Sequence, residues 1–170
     1  VSNDSMATLR SINGVITSHW ILENAGPNIE HFQTALICSK HWAKARGVYG
    51  TALGFLGGIS WALLMARVSC EHPQEAVRPG LLIKKLFSAL RDWPWPKPGE
   101  QLGSSMQLAR TPKCGKFAAF DSEIWHEQQK RKQQQQQQQQ QPAALMPILT
   151  PIYPSMNTTH GVSGSSFHVV

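Results

Sequence analysis

Two lysines, a tyrosine and a glycine pair are the part of the sequence best suited to chemistry. Lys40 and Lys44 are four residues apart and therefore share one face of a helix, from which two ammonium groups project. Tyr49 follows that helix, and Gly57 and Gly58 open the next one, where unpaired N–H groups and the helix dipole favour anions. The pattern indicates a phosphate-binding site, although each part of it is also typical of a solvated helix or a buried helix pair.

Three predicted helices would position these residues. The first begins at Pro27 and Asn28 and ends at Gly47, because apolar residues recur at helical spacing between them. The second covers about 59–69 and is apolar on all sides, which predicts burial. The third is "GLLIKKLFSALRDW", whose leucines form one stripe and which ends at "WPWPKPG". We predict turns at Asn13-Gly14 and Gly26-Pro27-Asn28, and we expect Trp42 and Trp61 in the core.

The stretch 47–66 contains no charged residue and raises the alternative of a membrane span. About 20 apolar residues cross a bilayer, and Gly50, Gly54 and Gly58 have the four-residue spacing of a helix–helix contact in membranes. The glycines, hydroxyls and tyrosine of the stretch lower its hydropathy below that of a leucine-rich span. They also divide it into two halves, of which the second has the length of a core helix.

The composition limits the class of protein. The chain has 170 residues, enough for one domain of ordinary size, and its net charge of +6 suits an anionic partner such as nucleic acid or nucleotide phosphates. Its three cysteines are scattered, which argues against a disulfide framework. Cys38 with His41 and Cys70 with His72 are irregularly spaced for zinc, so we expect no metal ligands in this chain.

The character of the sequence changes after Pro98. Residues 99–144 contain no periodic pattern and include a run of glutamines at 133–141, which cannot bury enough apolar area to offset the entropy of ordering. We therefore predict a disordered insertion there. The prolines of "LMPILTPIYP" predict an extended segment at a sheet edge, and "GVSGSSFHVV" is expected to begin a strand.

Five motifs together resemble the central domain of eukaryotic poly(A) polymerases. They are R-S-x-N-G in "LRSINGVITSHWIL", a helix ending in W-A-K, the stretch "GFLGGISWA", "DWPWPKP" after a leucine-rich helix, and "LMPILTPIYP", and they occur in the family's order. The resemblance implies a mainly α fold, a helical-bundle central domain with a short extended C-terminal segment. It divides the chain into the helical part at 1–98, the insertion at 99–144, and a return segment at 145–170 that leads toward an RNA-binding domain.

The resemblance also implies a function. The chain would be a fragment of a nuclear enzyme that adds AMP from ATP to the 3′ end of mRNA, with the nucleotide lying between an N-terminal catalytic domain and this central domain. Six residues match ATP-facing positions of the family: Asn13 near the ribose, Lys40 and Lys44 near the triphosphate, Tyr49 at the phosphates, and Gly58 and Ile59 on the adenine side.

The catalytic residues of the family are expected outside this chain. The resemblance implies that Mg²⁺ or Mn²⁺ is held by carboxylates of a D-x-D motif and a third aspartate, and no D-x-D occurs here. The implied partners are ATP, an RNA 3′ end and the mRNA cleavage and polyadenylation machinery, with no membrane. Two alternatives stay open, namely a non-catalytic helical interaction protein with a Gln-rich arm and a single-pass membrane protein.

Overall fold

The computed structural model describes residues 3–92, 106–107, 146, 148–151 and 156–167. The described part is mainly helical, which confirms the predicted fold class. Its long helices are α1 (Asn3–Glu23), α2 (Ile29–Ala45), α3 (Gly58–Glu71) and α4 (Pro79–Asp92). Two 3-10 turns, Thr51–Leu53 and Glu75–Val77, precede α3 and α4 respectively.

Helix α2 begins and ends where its sequence predicts. The Asn28 side chain accepts hydrogen bonds from the backbone N–H groups of Glu30 and His31, at 3.0 and 3.1 Å, and so caps the first turn. After the helix, Gly47 adopts a φ of 73°, a left-handed conformation that glycine adopts without strain. The face between these ends buries Phe32 and Ala43 against the core.

Helix α3 is the centre of the core. It packs against both α2 and α4, and most of its residues are buried, as an apolar pattern on all sides predicts. Helix α4 contributes the predicted leucine stripe, since Leu82, Leu86 and Leu90 are all buried. These three helices therefore form one packed unit in which α3 is covered along its length.

The predicted turn at Asn13-Gly14 is wrong, because both residues lie inside α1. The Asn13 carboxamide oxygen accepts a hydrogen bond from the Thr17 hydroxyl one turn later, at 3.1 Å, so its polar group is satisfied within the helix. Further along, Trp20 and Ile21 are buried in the core and fix the helix there. Packing thus outweighs the low helix propensity of an Asn-Gly pair.

The uncharged stretch 47–66 is not one helix. It contains the Thr51–Leu53 turn, a left-handed Gly54 with a φ of 79°, and then the start of α3 at Gly58. Within the described residues no helix is both long and apolar enough to cross a bilayer. The stretch 47–66 therefore does not form the single helix that the membrane-span interpretation requires.

The C-terminal part of the chain returns to the helical core. Ile148–Leu149 forms strand β2, which pairs in parallel with β1 (Met106–Gln107) and confirms the predicted extended segment. Residues Gly164–Phe167 form a short helix, α5, where a strand was expected. The Ser163 hydroxyl accepts from the Ser166 N–H at 3.4 Å, and such local side-chain caps favour a helical turn over a strand.

The predicted insertion at 99–144, with its glutamine run, lies outside the described residues except for Met106 and Gln107, which are in a strand rather than disordered. The division of the chain into three parts at 1–98, 99–144 and 145–170 stays a prediction.

Candidate functional site

The start of α3 lacks the side-chain cap that α2 has. Gly57 occupies the position before the first helical residue in an extended conformation, and no side chain there accepts a hydrogen bond from the helix. The N-terminal end of a helix carries the positive end of its dipole and N–H groups without intrahelical partners. A helix start built from two glycines therefore presents a positive end that other groups can approach closely.

Two polar side chains meet at this helix start. A Cβ atom placed on Gly58 would lie 2.9 Å from the Tyr49 hydroxyl oxygen and 3.9 Å from the Lys40 Nζ atom. The missing Cβ therefore leaves the room that the phenol and the ammonium occupy. Spacing in the sequence predicted this meeting of Lys40, Tyr49 and Gly58, and the structure brings the three together.

A second ammonium belongs to the same cluster. The Lys44 Nζ atom lies 5.1 Å from the centroid of the Tyr49 ring, within the range of a cation–π contact. Partial burial, and secondarily the charge of Lys44, lower the pKa of Lys40 below its ordinary value of 10.5. Within the described part of the chain no carboxylate forms an ion pair with either lysine. The cluster therefore holds two cations whose charge is not compensated there.

The loop between α2 and α3 fixes the position of Tyr49 relative to the helix start. Gly50 has a φ of 110°, its N–H donates to the Leu56 carbonyl at 3.0 Å, and its carbonyl accepts from the Phe55 N–H at 3.1 Å. These bonds close the loop on itself. Because the loop begins next to Tyr49 and ends next to Gly57, its closure keeps the phenol against α3.

The remaining predicted site residues are placed differently. Ile59 is partly buried and packs against the core beside Gly58. Asn13 is buried in α1, where its carboxamide oxygen accepts the hydrogen bond from the Thr17 hydroxyl. Four of the six predicted residues are therefore joined by contacts, namely Lys40, Lys44, Tyr49 and Gly58. Ile59 is the neighbour of Gly58 in the sequence, and Asn13 lies on a separate helix, α1.

Comparison with known proteins decides the family. The family model described as "Poly(A) polymerase central domain" matches residues 31–170 of the chain. The chain belongs to the poly(A) polymerase family. It is 39% identical to nuclear poly(A) polymerase 4 of Arabidopsis thaliana over 163 residues, which are 96% of this chain and 19% of that relative. It is 35% identical to the poly(A) polymerase of Dictyostelium discoideum over 170 residues, covering 100% of this chain and 18% of the relative. The chain thus spans about a fifth of the length of the curated relatives it matches.

Thr51 of this poly(A) polymerase central domain was not predicted to lie near the site. A Cβ atom on Gly57 would lie 3.0 Å from the Thr51 Cγ2 atom, so Thr51 stands beside the glycine pair at the helix start. The only signal in the sequence is the glycine itself, since a glycine before a helix is typical of a close approach by another group.

Trp42 and Trp61 were both expected in the core, and the expectation holds for Trp61. Trp61 is buried, whereas 42% of Trp42 is exposed. The Trp42 ring contacts Phe87 edge-on, with centroids 4.8 Å apart, at the margin of the core. Trp42 lies on α2 between the exposed His41 and the buried Ala43, so it is only partly covered while Trp61 is buried.

Proposed function

We propose that Lys40, Lys44, Tyr49 and Gly58 form the half of a poly(A) polymerase nucleotide site that binds the triphosphate of ATP. The observation that carries the proposal is the meeting of the Lys40 ammonium and the Tyr49 hydroxyl at the uncapped start of α3. Ile59 would line the adenine side, and Asn13 would contribute on the ribose side.

The electrostatics of the cluster support an anionic ligand. The lowered pKa of Lys40 means that its charged form is disfavoured by burial and by Lys44 in the free protein. A bound phosphate would offset both effects, because it accepts hydrogen bonds from the ammonium and its negative charge balances the two lysines. A hydrogen bond to a charged group contributes about 1.5–3 kcal/mol, so each lysine is expected to matter strongly for binding.

The reaction of the whole protein belongs to the same proposal. The enzyme would transfer AMP from ATP to the terminal 3′-hydroxyl of mRNA in the nucleus, and pyrophosphate would be released. Its N-terminal domain would supply the carboxylates for Mg²⁺ or Mn²⁺, which stabilises the charge that develops on the transferred phosphate. Within the described residues of the central domain, no cluster of three or more His, Cys, Asp or Glu side chains is placed to hold a metal ion.

Calorimetric titration with ATP tests the half-site. We expect saturable binding to the 170-residue chain, weakened about 10- to 100-fold by Lys40→Ala, the loss corresponding to one charged hydrogen bond. Lys84→Ala is the matched control, because Lys84 is an exposed lysine of α4. Equal losses from the two variants, or no binding by the unmodified chain, would overturn the assignment and favour the non-catalytic interaction protein.

Primer extension tests the reaction. Joined to the segments that flank it in a full-length relative, the chain should lengthen an RNA primer with ATP in the presence of Mg²⁺. It should use ATP in preference to GTP, CTP and UTP. A joined protein that binds ATP through Lys40 but never extends the primer would limit the proposal to nucleotide binding.

A further inference from the structure

The first turn of α3 is held from the side opposite the lysine cluster. The Ser60 hydroxyl is buried and donates to the Thr158 Oγ1 atom at 2.9 Å, with the Thr158 carbonyl oxygen 3.3 Å away. Gly58 and Ser60 are two residues apart, which places them roughly 200° apart around the helix axis. One side of the helix start therefore meets Tyr49 and Lys40, and the other meets the C-terminal part of the chain.

Thr158 is itself fixed within that C-terminal part. Its hydroxyl donates to the Ile148 carbonyl at 3.0 Å, and its N–H donates to the same carbonyl at 2.8 Å. Ile148 is a fully buried residue of strand β2. The hydrogen bond from Ser60 thus ties the start of α3 to a strand and not to a free loop.

A second contact holds the loop that carries Tyr49. A Cβ atom on Gly161 would lie 2.8 Å from the Thr51 carbonyl oxygen, and one on Gly54 would lie 3.2 Å from the Gly161 carbonyl oxygen. The backbone near Gly161 therefore packs directly on the backbone of the Thr51–Leu53 turn. Nothing larger than glycine fits at Gly161 without moving that turn.

We propose that the described C-terminal segment, residues 148–151 and 156–167, is a positioning element for the nucleotide half-site. Ser60 and Thr158 are positioning residues: they touch no nucleotide but hold the start of α3 where Gly58 meets Tyr49 and Lys40. Gly161 does the same for the loop. The inference rests on the proposed ATP site, because it assigns this segment the task of keeping that site formed before the ligand arrives.

Ser60→Ala and Ser69→Ala form a matched pair that separates positioning from stability. Both serines are buried in α3 and both bond to distant parts of the chain, Ser69 donating to the Ala25 carbonyl at 2.7 Å near the other end of the helix. Both variants should lower Tm. Only Ser60→Ala should also weaken ATP binding, about fivefold, the equivalent of one ordinary hydrogen bond. Equal affinities in the two variants would overturn the proposal.

Thr158→Val and Thr158→Ser give an independent check by rescue. Valine keeps the shape of threonine and removes the hydroxyl, whereas serine keeps the hydroxyl that accepts from Ser60 and donates to Ile148. We expect weaker ATP binding in Thr158→Val and recovery in Thr158→Ser. Wild-type affinity in Thr158→Val would contradict a positioning role for this residue.

Amide hydrogen exchange distinguishes failure of this inference from failure of the ATP site. In the ligand-free chain, Ser60→Ala should speed exchange at residues 50–60, and Ser69→Ala should not. If the unmodified chain failed to bind ATP, the proposed function would fall while this measurement would still decide whether the segment holds the helix start. Unchanged exchange at 50–60 in Ser60→Ala would overturn the inference even if ATP binds.

Discussion

The two ends of α3 differ in whether their polar groups find partners within the chain. At its C-terminal end the helix is tied to its neighbours: the Ser69 hydroxyl donates to the Ala25 carbonyl at 2.7 Å, and the Cys70 thiol lies 3.4 Å from the Asn24 carbonyl. Within the helix, Arg67 and Glu71 form an ion pair at 2.8 Å that is largely shielded from solvent. The polar groups at this end have partners within the chain.

The polar groups at the N-terminal end of α3 have fewer partners within the described chain. Its cap residue Gly57 offers no side-chain hydrogen bond, and the nearby lysines Lys40 and Lys44 are two like charges close together. One end of the helix therefore stabilises the fold, and the other retains the positive charge and open backbone that an anionic ligand needs. On our proposal the same helix serves both roles, since the Ser60 hydroxyl donates to Thr158 on the side of the helix away from the lysines.

Gly26→Ala should have the largest effect of the three changes. It should lower the stability of the fold and leave ATP affinity unchanged. Gly26 has a φ of 93°, and a Cβ there would collide with the Ser69 hydroxyl at the satisfied end of α3. We expect a loss of about 2–3 kcal/mol in the free energy of unfolding, measured with urea. Gly14→Ala is the control: nothing lies within 4 Å of its Cβ position inside α1, so it should gain about 0.5–1 kcal/mol. A large loss of ATP affinity in folded Gly26→Ala would mean that the two ends are not independent.

Gly58→Ala should have the opposite effect to Gly26→Ala, weakening ATP binding and leaving stability nearly unchanged. The new methyl would meet the Tyr49 hydroxyl at 2.9 Å and displace it, while the helix itself gains a better helix former. We expect ATP affinity to fall roughly tenfold, about 1.4 kcal/mol, with little change in Tm. Gly80→Ala in the first turn of α4, where nothing lies within 4 Å, should leave affinity unchanged. Unchanged affinity in Gly58→Ala would place the ligand elsewhere.

Lys40→Met should have the smallest effect on stability and the most informative pH dependence. The folded protein lowers the pKa of Lys40 below 10.5, so the unfolded chain binds more protons between the two pKa values and stability rises with pH in that window. The variant should lose this rise and have a slightly higher Tm at pH 7. Thermal unfolding from pH 7 to 11 measures it, with Lys84→Met as the control. A lower Tm in Lys40→Met would show that the lysine stabilises the free protein.

Much of the helical framework could be predicted because its signals are local. Asn28 and Gly47 mark the ends of α2, and the stripe through Leu82, Leu86 and Leu90 marks the buried face of α4. The Asn-Gly turn in α1 was predicted wrongly because the tertiary burial of residues further along the helix is invisible to a dipeptide rule. The strand predicted at α5 was wrong because the prediction did not consider the serine side chains, which cap a helical turn there.

The site was predictable only where its residues are near one another in sequence. Lys40, Tyr49 and Gly58 lie on consecutive elements, so their spacing, together with the family resemblance, pointed to them. The contact between Ser60 and Thr158 joins residues 98 apart, and no periodicity in the sequence points to it. The residues proposed to contact ATP were thus easier to find from the sequence than the residues proposed to position them.

Ser60 and Thr158 are 98 residues apart, which affects the order in which the fold assembles and how far the chain between them can lengthen. A contact between residues distant in sequence must first offset the entropy of closing the chain between them, so α2, α3 and α4 can assemble before the start of α3 is secured. The entropy of closing a long loop grows only with the logarithm of its length, and doubling the loop costs about 0.6 kcal/mol. The chain between the two anchors can therefore lengthen over evolution with little loss of stability, provided that both anchoring hydroxyls remain.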